Sequence, residues 1–79
     1  MKVFYEIDEC TGWNNELQTN TMRVDKYFQD IYNAYNYCDE KNAGCGTCIP
    51  SIEDVIRNLS DFGEADIGYL TIIQQEFED

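Results

Sequence analysis

Val24-Asp25-Lys26-Tyr27-Phe28-Gln29-Asp30-Ile31-Tyr32-Asn33-Ala34-Tyr35-Asn36-Tyr37-Cys38 carries the clearest helical pattern in the chain. Val24, Tyr27, Phe28, Ile31, Tyr35 and Cys38 recur at three- and four-residue spacings, which gathers them on one helical face. The spacing predicts a helix over 25–38, capped by Asp25 or Thr21, with Asp25 and Asp30 near the positive end of its dipole. Tyr27 and Tyr35 are expected in the core, with Tyr32 and Tyr37 on the helix flank. Asp39 to Gly44 ends the pattern, and a glycine-punctuated loop follows through Cys48.

Toward the N-terminus, residues 2–8 alternate. Val3, Tyr5 and Ile7 lie on one side and Lys2, Glu6 and Asp8 on the other, with Phe4 the exception, as in a half-buried strand. Thr11-Gly12-Trp13-Asn14-Asn15 reads as a turn, and 17–24 as a returning second strand. Toward the C-terminus, Ser51 is placed to cap a second helix with Asp54 answering it three residues on. Ile52, Val55, Ile56 and Leu59 form the stripe of that helix, which ends near 60–63. Beyond Gly68, the segment 69–77 is rich in β-branched and aromatic residues and reads as a strand, although Ile67, Leu70, Ile73 and Phe77 also make a helical stripe. The expected fold is one small α+β domain over 1–79, in β(β)ααβ order, with two helices packed on one face of a small sheet.

The chain has 79 residues, 43% of them hydrophobic, so it should fold. A core of this size seldom supplies more than about 3–5 kcal/mol and often needs a staple. The four cysteines are the available staple. Cys45-Gly46-Thr47-Cys48 is a C-x-x-C knuckle, and Cys10 and Cys38 could complete a tetrahedral four-thiolate zinc site. One or two disulfides, or plain reduced thiols, are the alternatives. A thioredoxin-type redox centre would need the C-x-x-C between a strand and a helix, and the residues from Cys38 to Gly44 do not read as a strand. With no histidine there is no imidazole base or Cys–His couple, and adjacent acids such as Asp8/Glu9 and Glu53/Asp54 read as solvated. The sequence therefore points away from an enzyme.

Sixteen acidic side chains against five basic ones give a net charge of −11, spread along the whole chain with no acidic tail to account for it. Such a surface repels nucleic acid and anionic membrane and attracts basic protein surfaces. The N-terminus lacks the apolar stretch of a signal peptide, and no segment approaches a membrane span, so a cytoplasmic protein is expected. Asp25, Asp30, Asp39, Glu40, Glu53, Asp54, Asp61 and Glu64 are the candidate contacts, because they line the helices and their connections. Tyr32, Tyr37 and Trp13 join them as aromatics suited to stacking on guanidinium groups.

These features suggest an acidic inhibitor that mimics nucleic acid and fills the basic groove of a partner protein. In size and acidity the chain resembles the small phage-encoded inhibitors of bacterial defence, including anti-CRISPR and anti-restriction proteins. The likeness lies in composition and includes no motif. It implies action in the host cell cytoplasm. The competing readings are a zinc- or disulfide-stapled interaction adaptor with an incidental acidic surface, and a C-x-x-C thiol oxidoreductase.

Overall fold

The computed structural model describes residues 2–44, 46 and 48–78. It is a small α+β fold in which β1 (Lys2–Asn14), β2 (Thr19–Phe28), α1 (Ile31–Ala43), α2 (Ile52–Phe62), β3 (Glu64–Ile67) and β4 (Leu70–Phe77) follow in ββααββ order. The strands form one antiparallel sheet in the order β2-β1-β4-β3. At about 3.3 Å per residue, the 13 residues of β1 account for the 39 Å long axis of the molecule.

The β1–β2 hairpin is longer than the sequence suggested. Thr11 to Asn14 continue β1, and the turn lies at 15–18. There the Asn14 side-chain oxygen accepts from the backbone N–H groups of Glu16 and Leu17, at 3.0 and 3.1 Å. The short side-chain carbonyl replaces a backbone acceptor, which is why asparagine favours such positions.

The start of the first helix is also corrected. Val24 to Phe28 belong to β2, and α1 begins at Ile31, where the Asp30 carboxylate accepts from the Tyr32 N–H at 2.9 Å. Asp25 and Thr21 lie in the strand and cap nothing. The periodic residues 24–28 are β-branched or aromatic, so they suit a pleated strand once a long β1 is there to pair with them. Downstream, Ser51 caps α2 as expected, accepting from the Asp54 N–H at 3.3 Å, whereas the Asp54 carboxylate turns to Arg57 at 2.5 Å. Gly63 closes α2 in the left-handed conformation at φ 77°, a geometry that costs glycine little. The C-terminal segment is a strand, and β3 is an element the sequence reading did not contain.

Both helices pack on one face of the sheet. Ala34 and Cys38 from α1 and Val55 and Leu59 from α2 meet Ile7, Ala65, Ile67, Leu70 and Ile72 in the core. Asn42, the next residue on the α1 stripe, is buried and donates to the carbonyls of Cys38 at 2.8 Å and Ile67 at 3.0 Å. It thereby ties the β3–β4 hairpin to α1. No helix among the described residues is long and apolar enough to cross a membrane.

Candidate functional site

The sheet separates two surfaces with different chemistry. On the helix side, charge is engaged in the fold. Asp25 accepts from the Tyr37 hydroxyl and from Lys41 Nζ, the latter at 3.0 Å. These two bonds, the Tyr37 bond foremost, hold the Asp25 carboxyl below its usual range. The same contacts push Tyr37 and Lys41 upward. The Tyr37 ring packs on Phe28 at 5.3 Å between centroids, with Lys26 Nζ 4.9 Å from its centre. Glu9 pairs with Arg23 at 3.0 Å. Asp25 and Tyr37, both expected as partner contacts, are therefore half-buried and bonded to each other.

The remaining acids of the sequence-derived set divide by position. Asp30 is the α1 cap, and Asp54 is paired with Arg57. Asp39 and Glu40 on α1 and Glu53 and Asp61 on α2 are exposed. Glu64 stands on β3, on the sheet face away from the helices. Tyr32 is 59% exposed on α1, and Trp13 is 55% exposed toward the far end of the hairpin. The structure thus does not gather the set into one site.

The cysteines are separated as well. Cys38 is buried in the helix-side core, and burial pushes its thiol up to about 12. Cys10 alternates to the opposite face, where its thiol contacts the Gly12 carbonyl at 3.7 Å. The sheet therefore lies between two residues that the zinc reading placed around one ion. Cys48 is exposed ahead of α2, and Cys45 lies outside the described residues. Cys10, Cys38 and Cys48 are free thiols, and no metal-holding group of three or more Cys, Asp or Glu occurs among the described residues. The C-x-x-C connects α1 to α2, so the element before it is a helix and not a strand.

The face opposite the helices holds an arrangement that the sequence reading did not assemble. The strand register aligns Tyr27, Glu6, Ile73 and Glu64 in one row across β2, β1, β4 and β3. It aligns Val24, Asp8, Thr71 and Asp66 in the row beside it. Strand spacing of about 5 Å and a two-residue repeat of about 7 Å make this a lattice of two carboxylate columns separated by the β4 column. Glu6 and Asp8 are neighbours in one column. The neighbouring Asp8 carboxyl, followed by burial, pushes the Glu6 pKa up, and the Tyr27 hydroxyl opposes that rise. The Glu6 charge in turn raises that of the Tyr27 hydroxyl beside it. Asp8 Oδ1 is covered and has no hydrogen-bond partner among the described residues. Across the face, Thr71 Oγ1 donates to Asp66 Oδ1 at 2.9 Å. Met22, Val24 and Tyr27 leave large apolar surface exposed beside these acids. Period-two alternation of residues 2–8 already sets Glu6 and Asp8 on the same side, but it carries no sign that they form a site. Tyr27, expected in the core of a helix, instead stands on β2 opposite Glu6 and is 59% exposed.

Comparison of the chain with protein-family models, with curated proteins and with solved structures gave no match.

Proposed function

We propose that this protein acts by binding and not by catalysis, as an inhibitor whose carboxylates fill the basic nucleic-acid-binding surface of a partner protein. One observation carries the proposal. The ion pairs among the described residues engage Glu9, Asp25 and Asp54, whereas Asp39, Glu40, Glu53 and Asp61 stand exposed on the helices. Most of the −11 charge therefore remains available to an outside partner. Such carboxylates compete for the lysines and arginines that otherwise neutralise phosphates, and the competition weakens steeply with salt. An anti-CRISPR or anti-restriction inhibitor made by a phage is the biological setting that suits this chemistry, and its place of action is the host cytoplasm.

The test is capture of partners from the native host at two salt concentrations, followed by displacement with DNA or RNA. The expected result is a nucleic-acid-binding protein held at low salt and released by either treatment. Lysine substitutions at Asp39, Glu40, Glu53 and Asp61 should abolish capture. A partner retained at high salt and indifferent to those substitutions would overturn the proposal.

A further inference from the structure

Among the described residues, the open sheet face presents a negative pair without its own counterion. Arg23 and Lys41 bond to acids on the helix side, Lys26 lies over Tyr37 there, and Arg57 pairs with Asp54 on α2. Lys2 shares the open face, but four residues of strand place it about 13 Å from Glu6. Glu6 and Asp8 are nevertheless same-face neighbours two residues apart on β1, about 7 Å along the strand, so a cation arriving from outside relieves a repulsion already present in the free protein. Apolar side chains border the pair, as they border charged anchors in protein interfaces.

We propose that this face docks a protein partner through an arginine side chain seated on Glu6 and Asp8 against the Tyr27 ring. Charge complementarity selects a cation. The side-by-side carboxylates fit the planar donor fork of a guanidinium, and the adjoining ring offers a stacking surface that an ammonium uses less well. A phosphate-bearing ligand would meet two uncompensated carboxylates, and a second copy of this face would bring like charges together. The inference is independent of the helix-side proposal, since neither Glu6 nor Asp8 belongs to the carboxylates invoked there.

The test uses the full chain and a short peptide alternating arginine with leucine, with a lysine–leucine peptide of equal charge as its counterpart. Binding of the arginine peptide should shift backbone amide resonances in β1 and β4 and leave those of α2 in place. Removing two charges by Glu6→Gln with Asp8→Asn should weaken binding roughly tenfold. Removing two by Glu53→Gln with Asp61→Asn should change it by less than about twofold. Tyr27→Leu, on an exposed side chain, should erase the preference for arginine over lysine while leaving the fold intact. The proposal is overturned if the helix pair of substitutions costs as much as the sheet pair, or if the two peptides bind equally to the unaltered protein. Self-association of the unaltered chain that Tyr27→Leu disperses would also overturn it. None of these results bears on displacement by nucleic acid, so the two proposals fail separately.

Discussion

The two faces of the sheet handle the same excess of negative charge in opposite ways. On the helix side, Asp25 lies between the Tyr37 hydroxyl and Lys41, and Glu9 meets Arg23, so each carboxylate helps tie strand to helix or strand to strand. On the open side, Glu6 and Asp8 are adjacent on one strand face, the Asp8 carboxyl pushes the Glu6 pKa up, and Asp8 Oδ1 has no donor among the described residues. Net charge alone does not distinguish these cases. An acid with a partner adds to the fold, whereas an acid whose nearest neighbour is another acid raises the energy of the free protein and lowers that of a complex with a cation.

The comparison breaks most visibly at Ile72 and Ile73, neighbours on β4 whose side chains point to opposite faces. Ile72 is fully buried beneath the helices, and Ile73 is half-buried on the open face. Ile72→Ala should cost about 2–5 kcal/mol, enough to unfold much of a domain this size. Ile73→Ala should cost no more than about 1 kcal/mol. Urea denaturation of the two variants measures the difference. Equal losses would mean that the open face is covered in solution.

A second effect concerns the hairpin that carries Glu64 and Asp66. Its turn begins at Gly68, with φ 62°, and a Cβ there would lie 1.9 Å from Asn42 Oδ1. The neighbouring atom belongs to a buried amide held by two hydrogen bonds, so it has little room to yield. Gly68→Ala should destabilise by about 2–3 kcal/mol, through strain at positive φ and the clash. Asn42→Ala should cost about 2 kcal/mol by removing the two amide bonds to the Cys38 and Ile67 carbonyls and leaving a small cavity between α1 and the hairpin. The double variant should cost less than the sum, because removing the amide removes the clash. Full additivity in denaturation would show that Asn42 does not press on the turn.

Next in size is the Asp25 cluster. Asp25→Asn or Lys41→Met should each cost about 1–2 kcal/mol, allowing for partial solvent access. The double variant should again fall short of the sum. Because the folded carboxyl titrates below its ordinary value of 3.8, its contribution is complete above that pH and is lost as pH falls through the lower, folded value. Lys41 titrates above its ordinary value of 10.5, so its contribution is complete below that pH and fades only in stronger base. Thermal melts across both ranges should show two losses in the unaltered protein and neither in the double variant.

Much of this contrast was legible in the sequence, and the missing parts have a common cause. The alternation of residues 2–8 already placed Glu6 and Asp8 together and Ile7 opposite. Ser51 and Gly63 marked α2 through local capping chemistry, which needs no distant partner. Val24 and Tyr27 fall three apart yet share one strand face, because the register shift between Ile7 and Asp8 leaves Asp25 as an extra residue, and a strand followed by a helix imitates a longer helix when Phe28 and Ile31 also fall three apart. Only pairing with the far half of β1 decides between them, and that contact spans a hairpin. In β3, Ala65 and Ile67 alternate with two acids ahead of Gly68, but four residues are too few for propensity to identify a strand. The second carboxylate column depends on strand order, which local pattern does not encode.

The smallest effect tests the comparison most directly, because one chemical change should have opposite signs at two sites. Glu6 titrates above its ordinary value of 4.5, chiefly through its contact with Asp8, so the folded state disfavours its charged form. The resulting penalty is fully present well above the raised value and disappears as pH falls through it toward 4.5. Glu6→Gln should therefore stabilise the protein at pH 7 by about 0.5 kcal/mol after solvent screening, with the gain shrinking in high salt. It should also remove the rise in stability on mild acidification. Glu53→Gln removes the same charge from the first turn of α2, where a carboxylate favours the helix dipole, and should destabilise slightly. If both substitutions stabilise equally, general repulsion across the −11 surface explains them, and the Glu6–Asp8 contact has no special energetic role.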